Sequence, residues 1–188
     1  ILCYNYYMFT DPLKNIESLG LHDGLIIADM GAGTGFYSIP MAHAVQPHGK
    51  VYALEVQKDL VEKAKKEGMA SGVHNMEAMW VNIEKLSGTK LRDGLCDIAL
   101  ISNVLFQIED KPTFMKEVAR ILKPGGRAFV IDWSESFGMM GPHPEHVMTL
   151  PKTKELFIGT PENPSPYFKV AREVDVGAHH YGIIFERI

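Results

Sequence analysis

Cysteine is nearly missing from this chain: two in 188 residues, Cys3 and Cys96. So few thiols exclude a disulfide framework and fit a reducing cytosol, so a cytoplasmic location is expected. The sequence also lacks any H-E-x-x-H or C-x-x-C motif. The nearest approach to a ligand set is His143-Pro-Glu145-His146, to which Asp132 or His179 could add. Its prolines read as an incidental loop, and no metal is expected. No apolar run is long enough to span a bilayer. The opening Ile-Leu-Cys-Tyr-Asn-Tyr-Tyr lacks the basic flank and length of a signal peptide, and Met8 is a candidate natural start. Excess positive charge is absent as well: 19 Lys and Arg face 23 Asp and Glu, a net charge of −4. Nothing global therefore draws the chain to nucleic acid or to an anionic membrane. Neither an internal repeat nor a low-complexity tract is present.

What is there is a hydrophobic fraction of 46%, enough for a buried core in one domain spanning 1–188. Strand-like and helix-like segments alternate. A short helix over 11–19, within a lead-in covering 1–24, precedes a strand at 25–30. Then follow helix 36–45, strand 51–55, helix 58–69, strands 76–81 and 97–102, helix 111–122 and strand 127–132. Such alternation predicts an α/β fold, a mostly parallel sheet covered by helices on both faces. Tyr167–Val176 and Tyr181–Ile188 are β-rich runs separated by Gly-Ala-His-His, which reads as a terminal antiparallel hairpin. Between them and the last parallel strand, 134–166 is rich in Gly, Pro and Met, and is expected to be an irregular cover over a substrate.

The most informative stretch is Asp29-Met-Gly31-Ala-Gly33-Thr34-Gly35, placed between the first strand and the following helix. Glycines there let a ligand approach the backbone and permit angles that side chains disfavour. The spacing is G-x-G-x-G rather than the dinucleotide G-x-G-x-x-G/A, whose third small residue would fall on Phe36. Asp29 would repel a pyrophosphate but suits a ligand with an ammonium group. Glu55, ending the second strand, lies 20 residues past Gly35, where a carboxylate accepts hydrogen bonds from ribose hydroxyls.

On these residues, with Val51–Glu55, Val81–Leu86, Asp97–Asp110 and Leu122–Asp132, the chain resembles the class I S-adenosylmethionine-dependent methyltransferases. The resemblance runs from about Leu25 to Trp133 and more loosely to Ile188. It implies a Rossmann-like three-layer sandwich with a seven-stranded sheet, and S-adenosylmethionine as cofactor. It also implies roles. Asn82 and the Ile83 N–H sit where adenine is read, and the backbone at Ser102 and Asn103 faces the methionine part. The cofactor-binding candidates are Asp29, Gly31, Gly33, Thr34, Gly35, Tyr37, Glu55, Val56, Asn82, Ile83, Ser102 and Asn103. Phe106 either lines the site near the sulfonium or simply packs the core. The absence of an N/D-P-P-Y/F motif after strand four argues against methylation of nucleic-acid bases. With one thiol inside the fold, arsenic is set aside. The extended N-terminal signature of the quinone-biosynthesis members is missing.

The acceptor side is expected where Asp132-Trp133-Ser134-Glu135-Ser136 meets the turn at His179-His180-Tyr181, beneath the segment Phe137 to Met140. His179, His180, Asp132 and Tyr181 are the catalytic candidates, since histidine titrates where a general base must. Neighbours in a regular strand point to opposite faces, so at most one of the two histidines can face the methyl. The expected activity is methyl transfer to a small-molecule acceptor by direct displacement. A non-catalytic cofactor-binding module and a partner-assisted RNA or protein methyltransferase are the alternatives.

Overall fold

The computed structural model describes residues 11–137 and 141–188, so Gly138, Met139 and Met140 of the expected cover, and the candidate start at Met8, lie outside the described residues. Seven strands form a single sheet in the order β3-β2-β1-β4-β5-β7-β6. The elements are α1 (Pro12–Glu17), β1 (Ile26–Met30), α2 (Ser38–Ala44), β2 (Lys50–Glu55), α3 (Lys58–Ala70), β3 (Met76–Trp80), β4 (Cys96–Ser102), α4 (Lys111–Ile121), β5 (Leu122–Trp133), α5 (Leu150–Ile158), β6 (Phe168–Val174) and β7 (His180–Arg187). β1 pairs in parallel with β2 and β4, β2 with β3, and β4 with β5. β7 is antiparallel to both of its neighbours. The expected α/β sandwich with a C-terminal antiparallel hairpin is the observed fold.

Strand periodicity sorts the core into two layers. Ala28, Met30, Ala99, Ile101, Ala128, Val130, Ile183 and Phe185 point to a face covered by α4 and α5. Their sequence neighbours Ile27, Ile98, Leu100, Phe129, Ile131 and Ile184 point to the other, where Ile16 of α1, Leu19 just after it, and Met41 and Ala42 of α2 pack. Both faces are apolar because each is covered, as parallel sheets require. Two helix starts follow capping chemistry. Asp11 accepts from Leu13 N–H at 3.0 Å ahead of Pro12, and Asp110 accepts from Thr113 N–H at 3.0 Å ahead of α4.

Three segments depart from expectation. The Leu-Lys-Pro-Gly-Gly run belongs to β5 but bulges from the ladder, since pairing jumps from Cys96↔Leu122 to Ile98↔Arg127. Gly125, at φ +75°, turns it. Within the expected irregular cover, residues 150–158 form α5, which buries Thr153 and Phe157 and stops at Gly159, φ +72°. The helix 36–45 starts later than expected, at Ser38, because the glycine turn extends through Tyr37. Among the described residues no helix is long and apolar enough to cross a membrane.

Candidate functional site

The strand order reverses at β1, whose neighbours β2 and β4 lead the chain outward in opposite directions. Open α/β sheets bind ligands in the crevice at such a point, beyond the carboxyl ends of the strands. A cleft of about 460 Å³ lies there. It is walled by the turn after β1, the ends of β2 and β4, and the segment after β3. Of the twelve cofactor candidates, eleven line it; Gly35 does not, and packs instead within 3.5–3.7 Å of Ile39 and Ala64 at the Cβ it lacks.

The turn is fastened from below. The N–H groups of Gly31 and Ala32 both donate to Leu54 carbonyl oxygen, at 2.8 and 3.0 Å. Gly31, Gly33 and Gly35 all have positive φ, +85°, +55° and +91°. A Cβ on Gly31 would come within 2.8 Å of Val104 Cγ2, so that glycine permits close packing of the turn on the β4 side. A Cβ on Gly33 would meet nothing within 4 Å; its backbone borders open space.

Two carboxylates face this cleft with different electrostatics. Asp29 is 2% exposed and accepts from Ser38 Oγ at 2.5 Å. Burial, reinforced by the like charge of Glu55, pushes its pKa up to about 7 against the pull of the Ser38 bond. Glu55 accepts Gly33 N–H on Oε2 at 3.0 Å and Gln57 N–H on Oε1 at 2.8 Å. A carboxylate has roughly four lone-pair sites, so one on each oxygen remains. Glu55 thus braces the glycine turn and keeps two acceptor positions.

At the far wall, Asn82 Oδ1 accepts from Glu84 N–H at 2.9 Å, fixing the turn after β3, and Ile83 is buried beside it. Glu84 also lines the cleft, and its Oε2 accepts from Glu109 and Asp110 N–H at 3.0 and 3.3 Å. Sequence reasoning missed Phe36, Gln57, Leu60, Val104, Gln107 and Ile108 as lining residues. The last three belong to a loop folded back after β4, and the expected neighbour Phe106 is half-buried outside the lining. Asn103, at φ +55°, turns that loop, and Leu105 N–H donates to Asp132 Oδ2 at 3.1 Å.

The acceptor-side candidates divide between the two faces of the sheet. Asp132 pairs with Tyr181 across β5 and β7, on the α4/α5 face. Tyr181 hydroxyl is bonded to Thr153 Oγ1 at 2.6 Å and Met148 carbonyl at 2.7 Å, and burial pushes its pKa up. Asp132 is fully buried, and burial raises it to about 7 against two backbone N–H bonds. Trp133 and His180 pair on the opposite face, with ring centroids 4.2 Å apart. His179 precedes the strand at φ +62°, bonds Glu135 through Nδ1 at 2.8 Å and stacks on Phe137 at 3.8 Å. None of these five residues is in the cleft lining. His143 and His146 are exposed and approach Glu145 at 3.4 and 3.6 Å. Among the described residues no group of three or more His, Cys, Asp or Glu is arranged to hold a metal ion.

A family model described as a methyltransferase domain matches residues 21–183. The chain is 33% identical over 144 residues to a demethylmenaquinone methyltransferase of Lactococcus lactis, covering 77% of this chain and 51% of that protein. It is 29% identical over 120 residues to the enzyme of the same name from Geobacillus stearothermophilus, covering 64% and 50%. The chain therefore spans about half the length of these curated relatives. A crystal structure of a SAM-dependent methyltransferase from Aquifex aeolicus superposes with a TM-score of 0.85 at 26% identity, covering 98% of this chain and 93% of that one. The chain belongs to the methyltransferase-domain family.

Proposed function

We propose that this family member transfers a methyl group from S-adenosylmethionine to a small-molecule acceptor by direct displacement. The observation that carries the proposal is the pairing of Glu55 with the glycine turn. One carboxylate braces the loop through two backbone bonds and still offers an acceptor position on each oxygen. Two vicinal ribose hydroxyls fit that pair of positions. The buried Asp29 suits the ammonium of the amino-acid end, and the open side of Gly33 leaves room for the ligand's approach. Asn82 and Ile83 close the adenine end of the same cleft.

When bound, S-adenosylmethionine supplies a methyl already activated on a positive sulfur. What remains for the protein is to orient an acceptor in line and exclude water. Positioning of that kind is worth roughly 7–11 kcal/mol in favourable cases. No covalent enzyme intermediate is needed, because the methyl passes directly to the acceptor.

Within the small-molecule class, the names of the relatives favour a quinone-related acceptor. Isothermal titration with S-adenosylmethionine, S-adenosylhomocysteine and NAD tests the cofactor. Binding of both adenosyl ligands without NAD is expected, and tight NAD binding with neither adenosyl ligand would overturn the reading. Glu55→Ala should weaken adenosyl-ligand binding by about 1–3 kcal/mol, through loss of the ribose partner. Turnover with a panel of small acceptors separates the enzyme from a non-catalytic binding module.

A further inference from the structure

Four buried side-chain atoms among the described residues have no hydrogen-bond partner: Asn15 Oδ1, Asn103 Oδ1, Trp133 Nε1 and His180 Nε2. Native proteins leave few such atoms, and each asks for a missing partner. These four are not scattered. Asn103 lies in the cleft wall at the end of β4, Trp133 ends β5, and His180 begins β7, on consecutive strands of one rim. Asn15, on α1, donates through Nδ2 to the hydroxyl of Tyr37, another cleft residue. With neighbouring strands about 4.8 Å apart, the row from Asn103 to His180 spans roughly 10 Å, leading away from the cofactor cleft.

The two nitrogens at the far end are complementary. Indole Nε1–H can only donate. His180 Nδ1 is 3.2 Å from the carbonyl of Ala178, which can only accept, so Nδ1 carries a proton. In the neutral ring Nε2 is then a bare acceptor. The rings are held together as a cross-strand pair, centroids 4.2 Å apart. One donor and one acceptor on neighbouring rings are the complement of a hydroxyl group, which both accepts and donates through one atom.

We infer that Trp133 and His180 form a hydroxyl-recognising subsite for the methyl acceptor, its oxygen accepting from Trp133 Nε1–H and its O–H donating to His180 Nε2. The inference rests on the reading of the neighbouring cleft as the methyl-donor site. Burial lowers the pKa of His180 and keeps its ring neutral, so Nε2 stays available. Ser134 and Gly141 approach the pair. Ser134 N–H donates to the His179 carbonyl at 2.9 Å, and Gly141 is so close that a Cβ there would come within 2.7 Å of the Trp133 ring. Glycine at that contact leaves room for the indole ring. His179, tied to Glu135 and Phe137, anchors the cover rather than the ligand.

The chain has two tryptophans, which makes the test direct. Indole N–H resonances are followed by NMR while phenol, cyclohexanol or anisole is added to the protein, free and saturated with S-adenosylhomocysteine. Trp80 Nε1–H donates to Val56 carbonyl at 2.8 Å and serves as the internal control. The Trp133 signal should move with a hydroxyl probe and not with anisole, which lacks the O–H. Phenol acting alone assigns a phenolic acceptor, and cyclohexanol acting alone an aliphatic one. His180→Phe, followed on the Trp133 signal, and Trp133→Phe, followed by calorimetry of probe binding, both keep an aromatic ring and should each weaken the effective probe by roughly tenfold. A silent Trp133 signal with both hydroxyl probes, as expected if the pair is satisfied by a buried water, overturns the inference. So does an equal response to anisole, or an unchanged probe affinity in both variants. Calorimetry with S-adenosylhomocysteine keeps the two readings apart. Absence of its binding sinks the donor site, whereas normal binding with a silent indole sinks the hydroxyl subsite alone.

Discussion

Asp29 is a carboxylate whose surroundings favour its neutral form, and a cationic ligand reverses that preference. Buried against Ser38 and under the like charge of Glu55, it holds a proton up to about pH 7. An ammonium placed beside it lowers its pKa, so binding must expel that proton, and affinity must rise as pH rises toward and through 7. Titrations of S-adenosylhomocysteine near pH 6.5, in two buffers of different ionisation heat, should show proton release; in Asp29→Asn the buffer dependence should vanish. Equal heats in the wild-type protein would place the ammonium elsewhere. The glycines separate by the same residue-level logic. Gly33→Ala puts a left-handed alanine at φ +55° into open space, costing about 1–2 kcal/mol of stability, and adds a methyl on the ligand's approach. Its loss of ligand affinity should therefore exceed its loss of stability. Gly31→Ala also meets Val104 at 2.8 Å, and should lose more stability than Gly33→Ala in urea unfolding.

At the scale of elements, α4 is the staple of its half of the sheet. Glu117, fully buried, accepts from Ser87 N–H at 2.7 Å, from Thr89 N–H and Oγ1 at 3.1 and 2.6 Å, and from Arg120 Nε at 2.8 Å. Burial alone would raise its pKa, but these bonds together hold it below the usual carboxylate value. Glu117→Ala would leave Arg120 and Thr89 facing a buried void, and should cost about 3–5 kcal/mol in urea unfolding, against about 1 kcal/mol for Thr89→Val. Nothing local in the sequence announces this network, because it joins residues about thirty positions apart. The same holds for Asp132, which caps the loop after β4 from 27 positions away. What could be read was local: short apolar strands bounded by glycine, an Asp ahead of α1 and α4, the glycine turn. α5 had its signals too, Pro151 in its first turn and Gly159 at its end, but the Gly, Pro and Met around it hid them. The division of Asp132 and Tyr181 from Trp133 and His180 follows from the two-residue period of strands. It applied to 132 and 133 as much as to the two histidines.

For the whole molecule, two buried aspartates pull the response to pH one way, and His180, kept neutral by burial, pulls it the other. Asp29 and Asp132 are both raised to about 7 when folded, whereas the unfolded chain releases those protons near 3.8. Between these values the folded state holds more protons, so stability rises as pH falls from 7 and is lost as pH climbs through 7. The slope is at most about 1.4 kcal/mol per pH unit for each proton. Glu117 acts in the opposite sense, its contribution fading as pH falls from the ordinary carboxylate range through its lowered value. Thermal unfolding of the free protein should therefore show a higher midpoint in mildly acidic buffer than at pH 8, and Asp29→Asn should flatten the difference. The overall sheet was readable because alternation of strand and helix leaves few topologies; the depth of these carboxylates was not, since burial is a property of the finished packing. The order of the sheet has one more consequence, for the chain as it is being made. β7 lies between β5 and β6, so Arg127–Trp133 has no partner on that side until residues 180–186 have been synthesised. Until then Ala128-Phe129-Val130-Ile131 presents an apolar, β-rich edge of the kind that seeds aggregation. A nascent or truncated chain ending before Gly177 thus carries a mark of incompleteness that chaperones can read, and the last strand erases it.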